Sequence, residues 1–204
     1  MQLALSLICG FLLFQNLHID IINIPFYGVV KLGWLYIPLS SFVIYAFTRG
    51  LDITDGLDGL AGGTLLISLM ALWAISQSLL DTPLSVFISL WVGSLLAFLY
   101  FNVYPARIWM GNSGSLAFGA TLAITGLLLG KTTALIILGG IFLLEGLSNL
   151  LQDLWYFLYK RPLFSVSPPH YWLISQGWPE SKIMFRAWLA AVLLAIVGLW
   201  ISAK

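Results

Sequence analysis

The 204-residue chain is 60% hydrophobic and only 8% charged, with a mean hydropathy of +0.99 and a formal net charge of +1. An average soluble domain is about 45–50% apolar and about 25% charged, so this composition excludes an ordinary soluble domain and a disordered tail. The near-zero charge leaves no positive field to hold a nucleic acid, and a single cysteine, Cys9, excludes an intrachain disulfide framework and a cysteine zinc site.

A helix crossing a bilayer needs about 20 mostly apolar residues. Seven stretches approach this, at about 2–16, 33–48, 60–80, 84–101, 115–130, 132–157 and 184–202, the first short and the sixth long. Residues 1–15 carry no charge and so lack the positive start of a signal peptide; they read as a spanning helix. The predicted fold is an all-α integral membrane protein. It is a polytopic bundle of about seven transmembrane helices forming one transmembrane domain over 1–204, without a soluble domain, linker or internal repeat. Nine Trp, eight Tyr and thirteen Phe suit two membrane–water interfaces. Gly62, Gly63, Gly93, Gly119, Gly139 and Gly140 are the expected close-packing positions between spans.

Lys and Arg set the orientation. The loops after the second, fourth and sixth spans hold Arg49, Arg107, Lys160, Arg161, Lys182 and Arg186; the other side holds Lys31, Lys131 and Lys204. This places the first set of loops in the cytoplasm, and the chemically informative residues fall in those same loops.

In the first loop, residues 51–63 set Asp52, Asp55 and Asp58 at i, i+3 and i+6 among glycines. On a helix this spacing covers about a 120° arc, so one site sees all three carboxylates. Oxygen ligands of this kind suit Mg²⁺ together with substrate phosphates. A solvated acidic loop, with Asp52 or Thr54 as a helix N-cap, is the plainer reading of the same residues.

The second loop, residues 101–115, runs from Phe101-Asn102 to Met110-Gly111-Asn112-Ser113-Gly114-Ser115 at the start of the fifth span. Small polar residues there leave backbone N–H groups free for a phosphate, and Asn112 offers a carbonyl oxygen to a cation; capping by Asn112, Ser113 or Ser115 is the alternative.

The third loop, residues 160–180, carries Lys160, Arg161 and His170, with Tyr171, Trp172 and Trp178 as interfacial anchors. His170 can donate to a diphosphate or shuttle a proton. Two acids lie within the sixth span: Asp153 near its cytoplasmic end, and Glu145 deeper, where a polar partner or protonation is expected and a structural role is favoured. His18 has no assigned role.

Taken in order, these loops resemble those of the polyprenyl-phosphate N-acetylhexosamine-1-phosphate transferase superfamily, within glycosyltransferase family 4. The nearest likeness is to the phospho-N-acetylmuramoyl-pentapeptide-transferases of its bacterial peptidoglycan branch. The Asn-x-x-Asp-Gly-Leu-Asp-Gly-Leu loop of that branch is matched at 52–60, and its Phe-Asn…Met-Gly-Asp-x-Gly-Ser loop at 101–102 and 110–115. Its Pro-x-His-His-His…Gly-Trp-Pro-Glu loop is matched in part at 168–180.

The resemblance implies transfer of phospho-MurNAc-pentapeptide, or a related phospho-sugar, from a UDP-sugar to undecaprenyl phosphate. UMP is released and lipid I formed, with Mg²⁺ as cofactor, at the bacterial inner (plasma) membrane. It makes Asp55, Asp58 and His170 the catalytic positions, puts Asp52, Phe101, Asn102, Ser113 and Gly114 on the substrate, and puts Asn112 and Asp52 at the metal.

The departures are specific. Family members have about ten spans, and this chain resembles them from the fourth onward. It contains no Asp-Asp pair, whereas the family carries one in an earlier cytoplasmic loop, and Tyr171 and Trp172 replace two of the three histidines. The family's metal-binding Asp is Asn112 here and its first loop Asn is Asp52, consistent with two positions exchanging charge around one cation site or with drift in a chain that no longer turns over. A shortened transferase, working as a homodimer or with a partner chain that supplies further helices, leads. A non-catalytic or split or fragment paralogue that binds membrane lipid or nucleotide-sugar without turnover is the alternative.

Overall fold

The computed structural model describes residues 2–204. Helix α1 (Gln2–Gln15) leads into a hairpin of β1 (Ile21–Ile24) and β2 (Gly28–Lys31), then α2 (Tyr36–Thr54), α3 (Leu60–Ser78), α4 (Thr82–Asn102), α5 (Gly111–Leu128), α6 (Thr132–Leu138), α7 (Gly140–Tyr159), α8 (Pro169–Ser175) and α9 (Glu180–Ser202). The hairpin, absent from the all-α expectation, pairs Ile21 with Lys31 and Ile24 with Gly28, and an Asp20–Lys31 ion pair at 3.3 Å closes its open end. Strands of four residues are too short for alternation to stand out in so apolar a sequence.

The protein is a helical membrane protein, and among the described residues the expected seven spans are not confirmed. Three helices, α3, α4 and α9, are long and apolar enough to cross a bilayer; α6 and α7 pass together as a fourth, bent by 75°. Residues 132–157 read as one long span because both halves are apolar, and the break falls at Gly139-Gly140, where helix propensity is lowest. Helix α1 has only 14 residues. Helix α2 carries Arg49 and Asp52 in its last turns, and α5 opens on Gly-Asn-Ser-Gly-Ser.

Helix α2 is the axis of the bundle, packed against α1, α5 and α7, while α3 packs against α4 and α9. Most of the apolar length of α3 is buried (67%) and little of α4 or α9 is (22% and 28%), so α3 sits inside and the other two present side chains outward.

Glycines set the closest approaches. A Cβ on Gly119 of α5 would stand 2.7 Å from Thr48 Cα, and one on Gly146 of α7 would stand 3.0 Å from Gly50 Cα. Gly62 lies against Leu99, Gly63 against Trp188, Gly139 against Phe47 and Gly140 against Leu194; Gly93, expected to pack likewise, faces open space. As α2 rises along its 19 residues, roughly 28 Å at 1.5 Å per residue, it leads from the hairpin end of the bundle to the end bearing the acidic loop.

Candidate active site

The acidic residues do not share a helix. Asp52 lies in the last turn of α2, the chain leaves helical geometry at Asp55, and Asp58 sits in the turn before α3. Gly59 closes this turn at φ +73°, in the left-handed region that glycine enters without penalty. Its carbonyl accepts a hydrogen bond from Trp188 Nε1 of α9 at 3.0 Å. The loop is therefore shaped by a helix 129 residues away in sequence. None of the three carboxylates is freely solvated; each is half-buried.

None of the residues read as caps acts as one through its side chain; Asp52 and Ser115 meet each other instead. Thr54 Oγ1 donates back to Gly50 O at 2.7 Å within α2, and no side chain caps α3 or α5. Ser115 Oγ instead donates to Asp52 Oδ1 at 2.8 Å, and Arg49 pairs with Asp52 Oδ2 at 3.1 Å. Asp58 accepts from the Ala106 amide at 2.9 Å and from Trp109 Nε1 at 3.2 Å. The first and second loops are thus joined at both ends of the acidic stretch.

Asp55 lies between these two anchored carboxylates. Burial pushes its carboxyl up to about 6; the backbone of Gly111 pulls the value partly back, and the charges of Asp52 and Asp58 raise it further. Among the described residues, Asp52 alone of the three carboxylates has a cationic partner, Arg49.

Asn102, at the end of α4, is 2% exposed. Its Nδ2 donates to Ile108 O at 2.9 Å, while its Oδ1 is buried without a hydrogen-bond partner among the described residues. Phe101 is exposed and meets Tyr100 edge-on; Asn112 and Ser113 are exposed at the first turn of α5, and Gly114 lies over Met110.

The third loop reaches the first through His170. This residue is 1% exposed, in α8. Its Nδ1 lies 2.9 Å from Glu145 Oε2, which supplies the polar partner expected for that buried acid. Its Nε2 has no partner among the described residues and lies 2.6 Å from where a Cβ on Gly56 would stand, with Tyr171 Oη 3.0 Å from the same point.

Sequence reasoning missed Trp109 and Trp188 as parts of this site and ranked Glu145 as structural. Glu145 announces itself as a lone acid in an apolar run, whereas the indoles look like interfacial anchors until their hydrogen bonds are seen. Lys182 and Arg186 stack on Trp178, at 4.3 Å and 4.4 Å from its centroid, and so belong to that ring.

The donor set fits Mg²⁺ in kind, being carboxylate, amide and hydroxyl oxygens. Among the described residues no three His, Cys, Asp or Glu side chains converge as a closed cage. Mg²⁺ does not need one, since it is held by one or two carboxylates plus water and phosphate oxygens. Asp55, with Asp52 beside it, is the pair that would serve.

An apolar groove of about 350 Å³ runs between α2 and the bent α6–α7 pair, lined by Phe42, Ala46, Ile53, Leu143 and Leu147. Its polar end holds Arg49, Asn149 and Asp153, and Arg49 connects it to Asp52.

The profile of glycosyl transferase family 4 matches residues 1–130. The chain is 38% identical over 188 residues to a phospho-N-acetylmuramoyl-pentapeptide-transferase of Acetivibrio thermocellus, covering 90% of this chain and 57% of the relative. It is 36% identical over 205 residues to the protein of that name in Clostridioides difficile, covering 99% and 62%. The one in Desulforudis audaxviator is 35% identical over 184 residues, covering 86% and 55%. The chain thus spans between half and two thirds of the length of these curated relatives.

Proposed function

The chain belongs to glycosyl transferase family 4, and from that premise we propose that it transfers phospho-MurNAc-pentapeptide, or a related phospho-sugar, from a UDP-sugar to undecaprenyl phosphate, releasing UMP and forming lipid I. The observation that carries the reading is the convergence of three separated segments on one acidic loop. Ser115 meets Asp52, Ala106 and Trp109 meet Asp58, and His170 Nε2 faces Gly56.

The reaction joins a lipid phosphate to the sugar phosphate of a UDP-sugar, so the site must accept an apolar chain and several anionic oxygens together. The groove along α2 suits the polyprenyl chain, with Arg49 at its polar end for the phosphate. Asp58, fixed by two donors, orients the second loop around the nucleotide end. Bound Mg²⁺, held by Asp55 and Asp52, would offset diphosphate charge and polarise the phosphoryl group under attack.

In the proposed step an oxygen of the lipid phosphate bonds to the sugar-bearing phosphorus. The bridging P–O bond breaks and UMP leaves with the bridging oxygen. The proton of the attacking phosphate passes to His170 Nε2 and from there to the departing UMP. The loops lie on the cytoplasmic side of the bacterial inner membrane, where UDP-sugars are found, and a second copy or a partner chain contributes further helices.

One observation favours a different reading. Asp52 is already neutralised by Arg49, and Asn112 is an amide where the family motif has a carboxylate, which suits a chain that binds lipid or nucleotide-sugar without turnover. The deciding experiment is Mg²⁺-dependent UMP release by the purified chain in detergent, given UDP-MurNAc-pentapeptide and undecaprenyl phosphate. Release above a metal-free control is expected. Binding of both substrates with no release, alone or with a chain supplying further helices, would establish the non-catalytic reading instead.

A further inference from the structure

The pair formed by Glu145 and His170 has a geometry that buried acids do not need for packing. Its origin lies in the α2–α7 crossing. Gly50 and Gly146 let the two backbones approach closely, which brings residue 145 alongside the end of α2 and under the acidic loop. Helix α8 then sets His170 between Glu145 and Gly56. Both side chains are buried, at 8% and 1% exposure, so water competes little for either contact.

Of the two neutral tautomers of His170, one fits an ionised Glu145. A proton on Nδ1 is donated to the Glu145 carboxylate at 2.9 Å, leaving a lone pair on Nε2. The other neutral tautomer would set the Nδ1 lone pair against a carboxylate oxygen at that distance, which is repulsive. Nε2 is also the atom without a partner, and it is aimed at the backbone of Gly56, between Asp55 and Asp58. An unpartnered, buried lone pair directed into a loop of carboxylates is poised for a ligand that brings a proton.

We propose that Glu145 is a positioning residue: it holds His170 as the Nδ1–H tautomer and aims the Nε2 lone pair at the acidic loop, where it receives the proton of an attacking phosphate. The second half of this statement rests on the transfer reaction given above; the first half stands on the geometry alone. Glu145 touches no reacting atom and acts through the ring. The groups facing the imidazole are Glu145 on one nitrogen, Tyr171 tilted against it at 50° with centroids 4.2 Å apart, and the Gly56 backbone.

The full chain contains only two histidines, His18 and His170, so His18→Gln leaves one imidazole to observe. With ¹⁵N-histidine in detergent at about pH 8, where an ordinary imidazole is neutral, the two ring nitrogens report the tautomer directly. The expected spectrum shows Nδ1 protonated and Nε2 bare. A bare Nδ1 overturns the proposal without any variant, so a Glu145 variant that fails to fold does not shelter it.

In Glu145→Ala the ring proton should redistribute toward Nε2, and an unchanged pattern in the folded variant would also overturn it. In the UMP-release assay the same variant should lose on the order of 100-fold in kcat with KM for the UDP-sugar nearly unchanged, as loss of an oriented general base predicts. Equal kcat in an active preparation would overturn the proton-transfer role. A parent that shows the expected tautomer but releases no UMP, even with a chain supplying further helices, would instead defeat the transfer reading and leave Glu145 as the residue that sets the ring.

Discussion

The Ser115 hydroxyl donates to Asp52 Oδ1 at 2.8 Å, tying the last turn of α2 to the first turns of α5. The tie places the extra carboxylate at 52 near the head of the helix that carries Asn112. If the two positions share one cation site, Asp52→Asn should weaken Mg²⁺ binding by roughly 10- to 100-fold, as loss of a ligand-supporting carboxylate does, and Asn112→Asp should restore part of it. Titration calorimetry on the substrate-free chain reads this without requiring turnover. Equal Mg²⁺ affinity in Asp52→Asn would assign Asp52 to its ion pair with Arg49 alone.

Asp55 gives the site a pH dependence whose sign can be worked out. Burial first, with the neighbouring Asp52 and Asp58 charges adding to it, raises its carboxyl to about 6 from the ordinary 3.8, despite the opposing Gly111 backbone. Between those values the folded chain holds a proton that the unfolded chain has released. This group therefore favours folding below the lower value, and that contribution is lost as pH rises through about 6. In metal-free buffer, Asp55→Asn should be more stable than the parent at neutral pH, with the advantage shrinking as pH falls below 6. Mg²⁺ competes with the same proton, so its affinity for the parent should fall as pH drops through that range. Thermal melts and Mg²⁺ titrations across pH check both signs.

The α2–α5 contact that aligns Ser115 with Asp52 depends on the absence of a side chain at 119. A Cβ there would stand 2.7 Å from Thr48 Cα and 3.0 Å from Phe47 O, both backbone atoms that cannot step aside by a rotamer change. Gly119→Ala should part the helices and cost about 1–3 kcal/mol, the usual range for overpacking. Melting of the detergent-solubilised variant measures the loss, and an accompanying drop in Mg²⁺ affinity would show that the crossing also sets the loop.

Much of this arrangement was legible in the residues themselves. Carboxylates among glycines, a polar helix start and a lone acid within an apolar span each announce chemistry, because each is costly in an apolar chain without a purpose. Their joining was not legible, because it runs through contacts between distant segments. Ser115 looks like a cap and proves to be a ligand of Asp52; Trp188 looks like a lipid-facing aromatic and proves to hold Gly59. The bend at Gly139-Gly140 was hidden for a related reason: hydropathy averages over a window and does not register direction. The seven-span count is not confirmed, because α2 and α5 spend apolar length on polar site residues at their ends.

The Trp188–Gly59 hydrogen bond separates shape from chemistry at the acidic loop. Trp188 fills the space beside Gly63 and donates Nε1–H to the Gly59 carbonyl at 3.0 Å. Trp188→Phe removes the donor while keeping most of the apolar contact. The Gly59 carbonyl keeps its bond from the Gly63 amide at 3.0 Å, so the cost is that of one lost hydrogen bond, about 0.5–1.5 kcal/mol. The loss should appear in protease susceptibility of the loop before it appears in the global melt, because α3 remains packed by its other contacts.

Membrane orientation can be read at two exposed positions at opposite ends of the bundle. Tyr27 is 88% exposed at the hairpin tip, and Lys160 is exposed where α7 ends, on the side of the three loops. The proposed orientation, from the excess of Lys and Arg in the loops, has Lys160 in the cytoplasm and the hairpin outside. Cys9 is the only native thiol, so Cys9→Ser provides a clean background for single-cysteine labelling. In intact cells a membrane-impermeant maleimide should label Tyr27→Cys, and should label Lys160→Cys only after permeabilisation. The reverse pattern would put the acidic loop on the side away from cytoplasmic UDP-sugars, and the transfer reaction proposed for it would fail with that result.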